Sequence, residues 1–418
     1  MKKVLSDVLV LGAGAAGLAA ASKARELGAP NVVLLDEKEE PGGVLPQCIH
    51  PGFGLHYLKE DLTGPEFAIR LFERTRSLGV KVFNSTYAME LLAHKGRRVA
   101  RAVTPEGITE FHSKTVIFAT GAREKNSFEI GIVGHRPAGV YTAGEAQTMM
   151  DLHGAMPGQE AVIIGSGDVG LIMARRLALQ GADVKAVVEM LPYSGGLARN
   201  VQQCLFDFGI PLYLSHKATK ILGKRRVKAV EIVKVGDRLE EKPGTEFEMR
   251  CDTIIVSAGL TPRVELLEKA GARMDPATRS VAVNELLETS IPRVFAAGNA
   301  LTINDLVDYA AMQGEAAAKS AAGLTQSRRL SSDRWRPVVK GRNTRLVVPQ
   351  YVSGRREVSF YGRVMQPEED VYLKVPEIEV EFRQLRVKPA EMLTFTITSK
   401  EFRKLKEGKI TVTIEPKQ

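Results

Sequence analysis

A chain of 418 residues with 44 % hydrophobic and 26 % charged side chains can bury two or three cores, and no apolar run approaches the length of a membrane span. Three widely spaced cysteines, Cys48, Cys204 and Cys251, exclude a disulfide framework and a cysteine-ligated iron–sulfur cluster built by one chain; a cytoplasmic location is expected. The net charge of +9 is concentrated from Arg328 onward, where 20 Lys and Arg face 12 Asp and Glu.

Val8-Leu9-Val10-Leu11 reads as a buried parallel strand, and Ala15 to Leu27 as a helix closed by Gly28. Between them lies Gly12-x-Gly14-x-x-Gly17. Gly12 permits the tight turn, Gly14 lets a pyrophosphate approach the backbone, and Gly17 lets helix and strand pack closely. The helix N-terminus adds unpaired N–H groups and partial positive charge. A second strand, Asn31 to Leu35, ends on Asp36, placed to accept from a ribose hydroxyl. Lys2 and Lys3 before an alanine-rich run have the composition of a secretory leader. Asp7 interrupts that run, and cleavage after the alanines would discard the glycines, so a leader is not expected.

The pattern then repeats. Gly12, Gly14, Gly17, Gly28 and Asp36 have counterparts Gly165, Gly167, Gly170, Gly181 and Glu189, all 153 residues on. Thr115 to Gly121 likewise matches Thr253 to Gly259 at an offset of 138. Chance does not readily keep register over five positions, so two nucleotide-binding βαβ units are expected. After Gly323 a basic stretch holds Arg328, Arg329, Arg334, Arg336, Lys340, Arg342 and Arg345 against the single acid Asp333. Beyond it, runs such as Lys409-Ile410-Thr411-Val412-Thr413-Ile414 alternate as strands do.

The order of first fingerprint, Ala119-Thr120-Gly121, second fingerprint, Ala258-Gly259 and Val294-Phe295-Ala296-Ala297-Gly298-Asn299 resembles the pyridine nucleotide–disulfide oxidoreductase superfamily over about residues 1–325. The resemblance implies an α/β protein with two Rossmann-like FAD/NAD(P)-binding domains, the second inserted in the first. Residues 1–125 and 290–325 would form the FAD-binding domain, 155–262 the NAD(H)-binding domain, and 330–418 a small β-rich C-terminal domain. Pro41 to Leu55, Leu62-Thr63-Gly64-Pro65 and Asn304 to Asp308 further resemble the flavoprotein found beside anaerobic-type glycerol-3-phosphate dehydrogenases.

By this resemblance Ala15 and Ala16 hold the FAD pyrophosphate with Gly12, Gly14 and Gly17, and Asp36 holds the ribose. Gly42 and Gly43 line the flavin side, and Thr120 and Gly121 close over the nucleotide. Gly298 and Asn299 face the ribityl chain, and a helix starting at Leu306 and Val307 aims at the flavin. Asn299 stands where the family has aspartate, which removes a charge and keeps a hydrogen-bonding group. Gly165, Gly167, Gly170, Glu189 and Gly259 would bind NAD(H), with Glu189 accepting from a free 2′-hydroxyl and repelling a 2′-phosphate.

The family's paired redox cysteines are missing. Cys48 and His50, just after the double glycine, are the candidate catalytic thiol and proton donor. No spacing of His, Cys or carboxylates suggests a metal. The expected function is an FAD-dependent oxidoreductase exchanging hydride with NAD(H) and electrons with a partner protein. It would be a subunit of a dehydrogenase complex, with glycerol-3-phosphate or a related compound as substrate. The alternatives are a stand-alone NADH:acceptor or thiol reductase using one cysteine, and a non-catalytic nucleotide-binding scaffold. Companion dehydrogenase or electron-transfer subunits are the expected partners, in an oligomer or hetero-complex docked through the basic C-terminal segment. Neither nucleic acid nor a transmembrane segment is expected.

Overall fold

The computed structural model describes residues 2–326, 335–406 and 408–417. The chain divides into two units, Met1–Ala122 with Pro262–Gln418, and Arg123–Thr261. The second unit therefore begins before the helix Ala143–Asp151, whereas the sequence reading starts the NAD(H)-binding domain at residue 155.

In the first unit Val8 to Leu11 are at most 2 % exposed, because the strand Lys2–Leu11 is the middle of a parallel sheet. Val32–Leu35 pairs on one side, with Val8 opposite Val32, and Gly107–Phe118 on the other, with Val8 opposite Thr115. Lys81–Phe83 extends the sheet beyond Val32–Leu35, and Val294–Ala296 joins it beside Gly107–Phe118. The early part of Gly107–Phe118 instead continues antiparallel into Arg97–Thr104 and Tyr87–His94. The fingerprint helix Ala15–Glu26 is buried along most of its length and ends at Gly28, whose φ of +86° suits glycine alone. Its small side chains admit the helix Val307–Gln326 at close range. At Gly314 a Cβ would stand 2.1 Å from the Ala16 carbonyl oxygen. The helix Gly64–Ser77 opens on a capping box in which Glu66 accepts from the Thr63 N–H at 2.8 Å.

The C-terminal residues of this unit are β-rich and build their own core around Val352, Phe360, Leu373, Ile397, Phe402 and Ile414. Arg336–Lys340, Ile410–Pro416, Glu368–Val375 and Val380–Val387 form one sheet, and Thr344–Val348, Val358–Val364 and Leu393–Ile397 another. Arg328, Arg329 and Arg334 lie outside the described residues. Arg336 donates to the carbonyls of Ser353 and Lys406 at 2.9 and 3.1 Å, and Arg342 forks onto Glu368 at 2.7 and 2.9 Å. These two arginines are bonded within the module.

The second unit repeats the plan. Glu160–Ile164 is flanked in parallel by Asp183–Glu189 and Thr253–Val256. Leu212–Leu214 and Val140–Thr142 complete the sheet at its two edges. The fingerprint helix is Asp168–Leu179, and His216–Leu222, Ala229–Lys234 and Phe247–Arg250 form an antiparallel meander. Among the described residues no helix is long and apolar enough to cross a membrane.

Candidate functional site

In the first unit the backbone is folded so tightly around the fingerprint that side chains are excluded. A Cβ on Gly12, whose φ is +101°, would stand 2.4 Å from the Ala119 carbonyl oxygen, and one on Gly17 would stand 1.7 Å from that of Gly12. Gly14 is different. A Cβ there would meet the Gly43 Cα at an ordinary 3.9 Å, whereas one on Gly43 would stand 3.0 Å from the Gly14 Cα, so the two glycines lie backbone against backbone. The Gly42 N–H donates to the Ala13 carbonyl at 2.8 Å and holds the double glycine in place. Helix geometry leaves the N–H groups of Ala15, Ala16 and Gly17 without intrahelical acceptors, and no acid stands in the first turn to offset their positive end. A cradle with these properties fits a dinucleotide pyrophosphate. The buried Asp36 carboxylate accepts from the Ala13 N–H and, at 2.8 Å, from the Lys38 N–H. Each oxygen retains a lone pair for a ribose hydroxyl.

Gly298 and Asn299 come to the same place from the far end of the sequence. A Cβ on Gly298 would lie 2.7 Å from the Ala16 Cβ. Its N–H donates at 3.0 Å to Gln313, which in turn donates to Asn304 at 3.1 Å, while Asn304 N–H donates to Asn299 at 3.0 Å. Thr120 Oγ1 donates to the Arg263 carbonyl at 2.6 Å, and the Gly121 carbonyl accepts from the Arg263 N–H at 3.0 Å. The Arg263 guanidinium grips Glu37 with both nitrogens, which holds the Glu37 carboxyl below its ordinary range. Sequence reading missed this residue, since its partner lies 226 positions away.

Cys48 follows the short helix Leu45–Gln47, and its carbonyl accepts from the Gly64 N–H at 2.9 Å. Gly64 is obligatory there, because a Cβ would lie 2.7 Å from the Cys48 Cβ. The Cys48 thiol is half-buried and 3.3 Å from the Val44 carbonyl oxygen. His50 is turned onto its own segment, with Nδ1 3.0 Å from the Pro51 carbonyl oxygen and its ring packed near Phe53. Leu306 and Val307 stand at the start of the helix Val307–Gln326. Beside them the buried Asp308 accepts from the N–H groups of Gly54, His56 and Tyr57 at 3.3, 2.9 and 2.7 Å. It pins the loop after His50 to the helix start. Sequence reading quoted Asp308 and gave it no such role.

The second unit repeats this bonding and adds one bond from the Ser166 hydroxyl, which Ala13 lacks. Glu189 accepts from the N–H and hydroxyl of Ser166 at 2.9 and 2.6 Å and from the Leu191 N–H at 2.9 Å, as Asp36 does from Ala13 and Lys38. Gly165 presses on the Ser257 carbonyl, where a Cβ would be 2.2 Å away, and Gly170 on that of Gly165 at 2.5 Å. Gly259 has φ +95° and its carbonyl accepts from the Lys125 N–H. Gly195 and Gly196 stand 153 residues beyond Gly42 and Gly43. A Cβ on Gly195 would be 3.7 Å from the Gly167 nitrogen, so the double glycine also recurs over the second fingerprint. The constant offset would have found it. Cys204 and Cys251 are buried in this unit, and burial pushes both thiols up, that of Cys251 to about 12.

Residues 6–314 match the family described as pyridine nucleotide-disulphide oxidoreductase. The chain is 26 % identical to the NADH oxidase of Methanocaldococcus jannaschii, over 76 % of this chain and 70 % of that one. It is 26 % identical to the NAD(P)H coenzyme A polysulfide/persulfide reductase of Pyrococcus horikoshii, over 72 % and 63 %. It is 27 % identical to sarcosine oxidase subunit alpha of Rhizobium meliloti, over 76 % of this chain and only 30 % of that one. The chain thus spans about two thirds of the first two relatives. In fold it is similar to T. acidophilum thioredoxin reductase, with a TM-score of 0.62 at 23 % identity, covering 77 % of this chain and 99 % of the other.

Proposed function

The chain belongs to the pyridine nucleotide-disulphide oxidoreductase family and is accordingly an oxidoreductase with FAD and NAD(P)H as cofactors; from that premise we propose that it is a stand-alone NADH-dependent reductase of a disulfide or polysulfide acceptor, with Cys48 as its thiol. FAD, when bound, supplies the electron relay between nicotinamide and acceptor. Gly14, Ala15, Ala16 and Gly43 would hold its pyrophosphate, Asp36 its ribose, and the Gly298–Asn299 corner its sugar chain. Glu189 would hold the ribose of NADH and exclude a 2′-phosphate.

The observation that carries the reading is the position of Cys48. Of the three cysteines it alone lies in the first unit and outside a buried core, and its loop is built onto the double glycine that faces Gly14. As a thiolate Cys48 attacks one sulfur of the acceptor, forms a bond to it and expels the other as a thiolate. Two electrons originating in NADH and a proton then cleave that bond, restoring the Cys48 thiolate and releasing the attacked sulfur as a thiol. The relative named polysulfide/persulfide reductase supports this acceptor class, and the one named NADH oxidase supports the use of NADH. In Cys48→Ser, NADH is expected still to bleach the flavin while disulfide- or polysulfide-dependent NADH oxidation falls to background. Wild-type turnover with either acceptor in that variant would remove Cys48 from the reaction.

A second reading is favoured by the likeness to a subunit of sarcosine oxidase. Here the electrons pass to or from a companion dehydrogenase subunit, and the glycerol-3-phosphate assignment rests on the segments 41–55, 62–65 and 304–308 alone. Native purification that yields a stoichiometric companion chain, together with an active Cys48→Ser variant, would favour it.

A further inference from the structure

Arg363 lies on the strand Val358–Val364 of the C-terminal β-rich module, yet its guanidinium reaches the segment that runs into the helix Val307–Gln326. Nη2 donates to the Ile303 carbonyl at 3.1 Å, and Nη1 to the carbonyls of Pro389, at 3.0 Å, and Ala390. Asp305 stands beside it, with Oδ1 3.8 Å from Nη2 and Oδ2 accepting from the Met392 N–H at 2.8 Å. Both side chains are almost buried, 11 % and 13 % exposed, and Asp305 Oδ1 is buried with no hydrogen-bond partner. The charge of Arg363 is therefore what compensates that oxygen. Two residues along the strand, the buried Tyr361 ring packs on Tyr309 at 6.2 Å, and Tyr309 stacks on His56 at 6.3 Å.

The segment 303–308 so held is hemmed in on its other side by the proposed cofactor corner. Asn304 bonds Asn299 and Gln313, and Asp308 pins Gly54, His56 and Tyr57. We propose that Arg363 is a positioning residue for the flavin, through which the C-terminal module fixes the 303–308 segment and with it Asn299, Asp308 and the loop 54–57. The proposal rests on the first unit being the FAD site. The basic module then supports the cofactor site, whereas its sequence suggested a docking surface for another chain.

The test uses the full-length protein stripped of flavin, with FAD itself as the probe and flavin fluorescence quenching as the readout. Arg363→Met should weaken FAD binding roughly 5- to 100-fold, the range of coupling between linked sites. Arg363→Lys, which keeps the charge beside Asp305 without the fork, should fall between that variant and the wild type. Arg342→Met removes an ion pair from the same module, where the guanidinium bonds Glu368 and the Ile414 carbonyl, and should leave FAD affinity unchanged. Wild-type affinity in Arg363→Met, or equal losses in Arg363→Met and Arg342→Met, would overturn the proposal. Gly14→Val separates it from the reading beneath it. Loss of FAD there keeps the first unit as the site whatever Arg363 does, and full FAD binding there would overturn both.

Discussion

Asp168 marks the place where the two cradles differ in charge. The first fingerprint helix has no acid in its first turn, whereas the second begins on Asp168, whose Oδ1 accepts from the Leu197 N–H at 2.8 Å and from Asn200 at 2.6 Å. A carboxylate at this end opposes a bound pyrophosphate. Asp168→Asn keeps an oxygen able to accept both bonds and removes the charge. It should tighten NADH binding roughly 2- to 30-fold by calorimetry, the span that helix-terminus charges carry; unchanged or weaker binding would mean the charge does not face the phosphates. Glu189→Ala should cost about 1.5–3 kcal/mol of NADH affinity, because a charge-assisted bond to the ribose is lost along with the anchor on Ser166. Unaltered NADH affinity would remove Glu189 from the site. Residues such as Glu189 are legible because a strand-end acid follows its glycines at short, fixed distance. Arg263 and Asp308 are not legible, since Glu37 and the loop 54–57 meet them only after the chain has crossed more than 200 positions.

Among the elements, the glycine-bearing turns carry the geometry. Gly42-Gly43 and Gly195-Gly196 lie over equivalent fingerprints, and the helix Val307–Gln326 crosses Ala15–Glu26 at Gly314. Gly314→Ala puts a methyl 2.1 Å from the Ala16 carbonyl oxygen, so the helices must separate. The expected cost is about 1–3 kcal/mol in urea unfolding, typical of overpacking, together with lower FAD occupancy. A variant as stable and as yellow as the wild type would show that the crossing tolerates the shift. The parallel strands and both fingerprint helices were readable from continuous apolar runs and bounding glycines. The crossing at Gly314 was not, because an isolated glycine in an alanine-rich helix carries no label for what it touches.

For the whole molecule, the order of motifs along the chain made the two-unit α/β architecture readable. The contacts of the C-terminal module were not, since excess charge speaks of solvent and partners and says nothing of buried contacts. Gln350 bonds Val283 and Asp275, and Ser353 bonds Glu285 at 2.7 Å, besides the Arg363 contacts, so the module is tied into the first unit along several segments. A chain ending at residue 326 should accordingly lose solubility or FAD, as assayed by yield and flavin content; a soluble, fully loaded truncation would make the module dispensable. Under the proposed function, hydride from NADH bound through the second fingerprint reduces FAD held by the first. Anaerobic titration of the FAD-loaded protein with NADH, followed by flavin absorbance, tests it most directly. One equivalent of NADH per flavin should bleach the wild-type spectrum, and a flavin that stays oxidised with excess NADH would show that no hydride passes between the two.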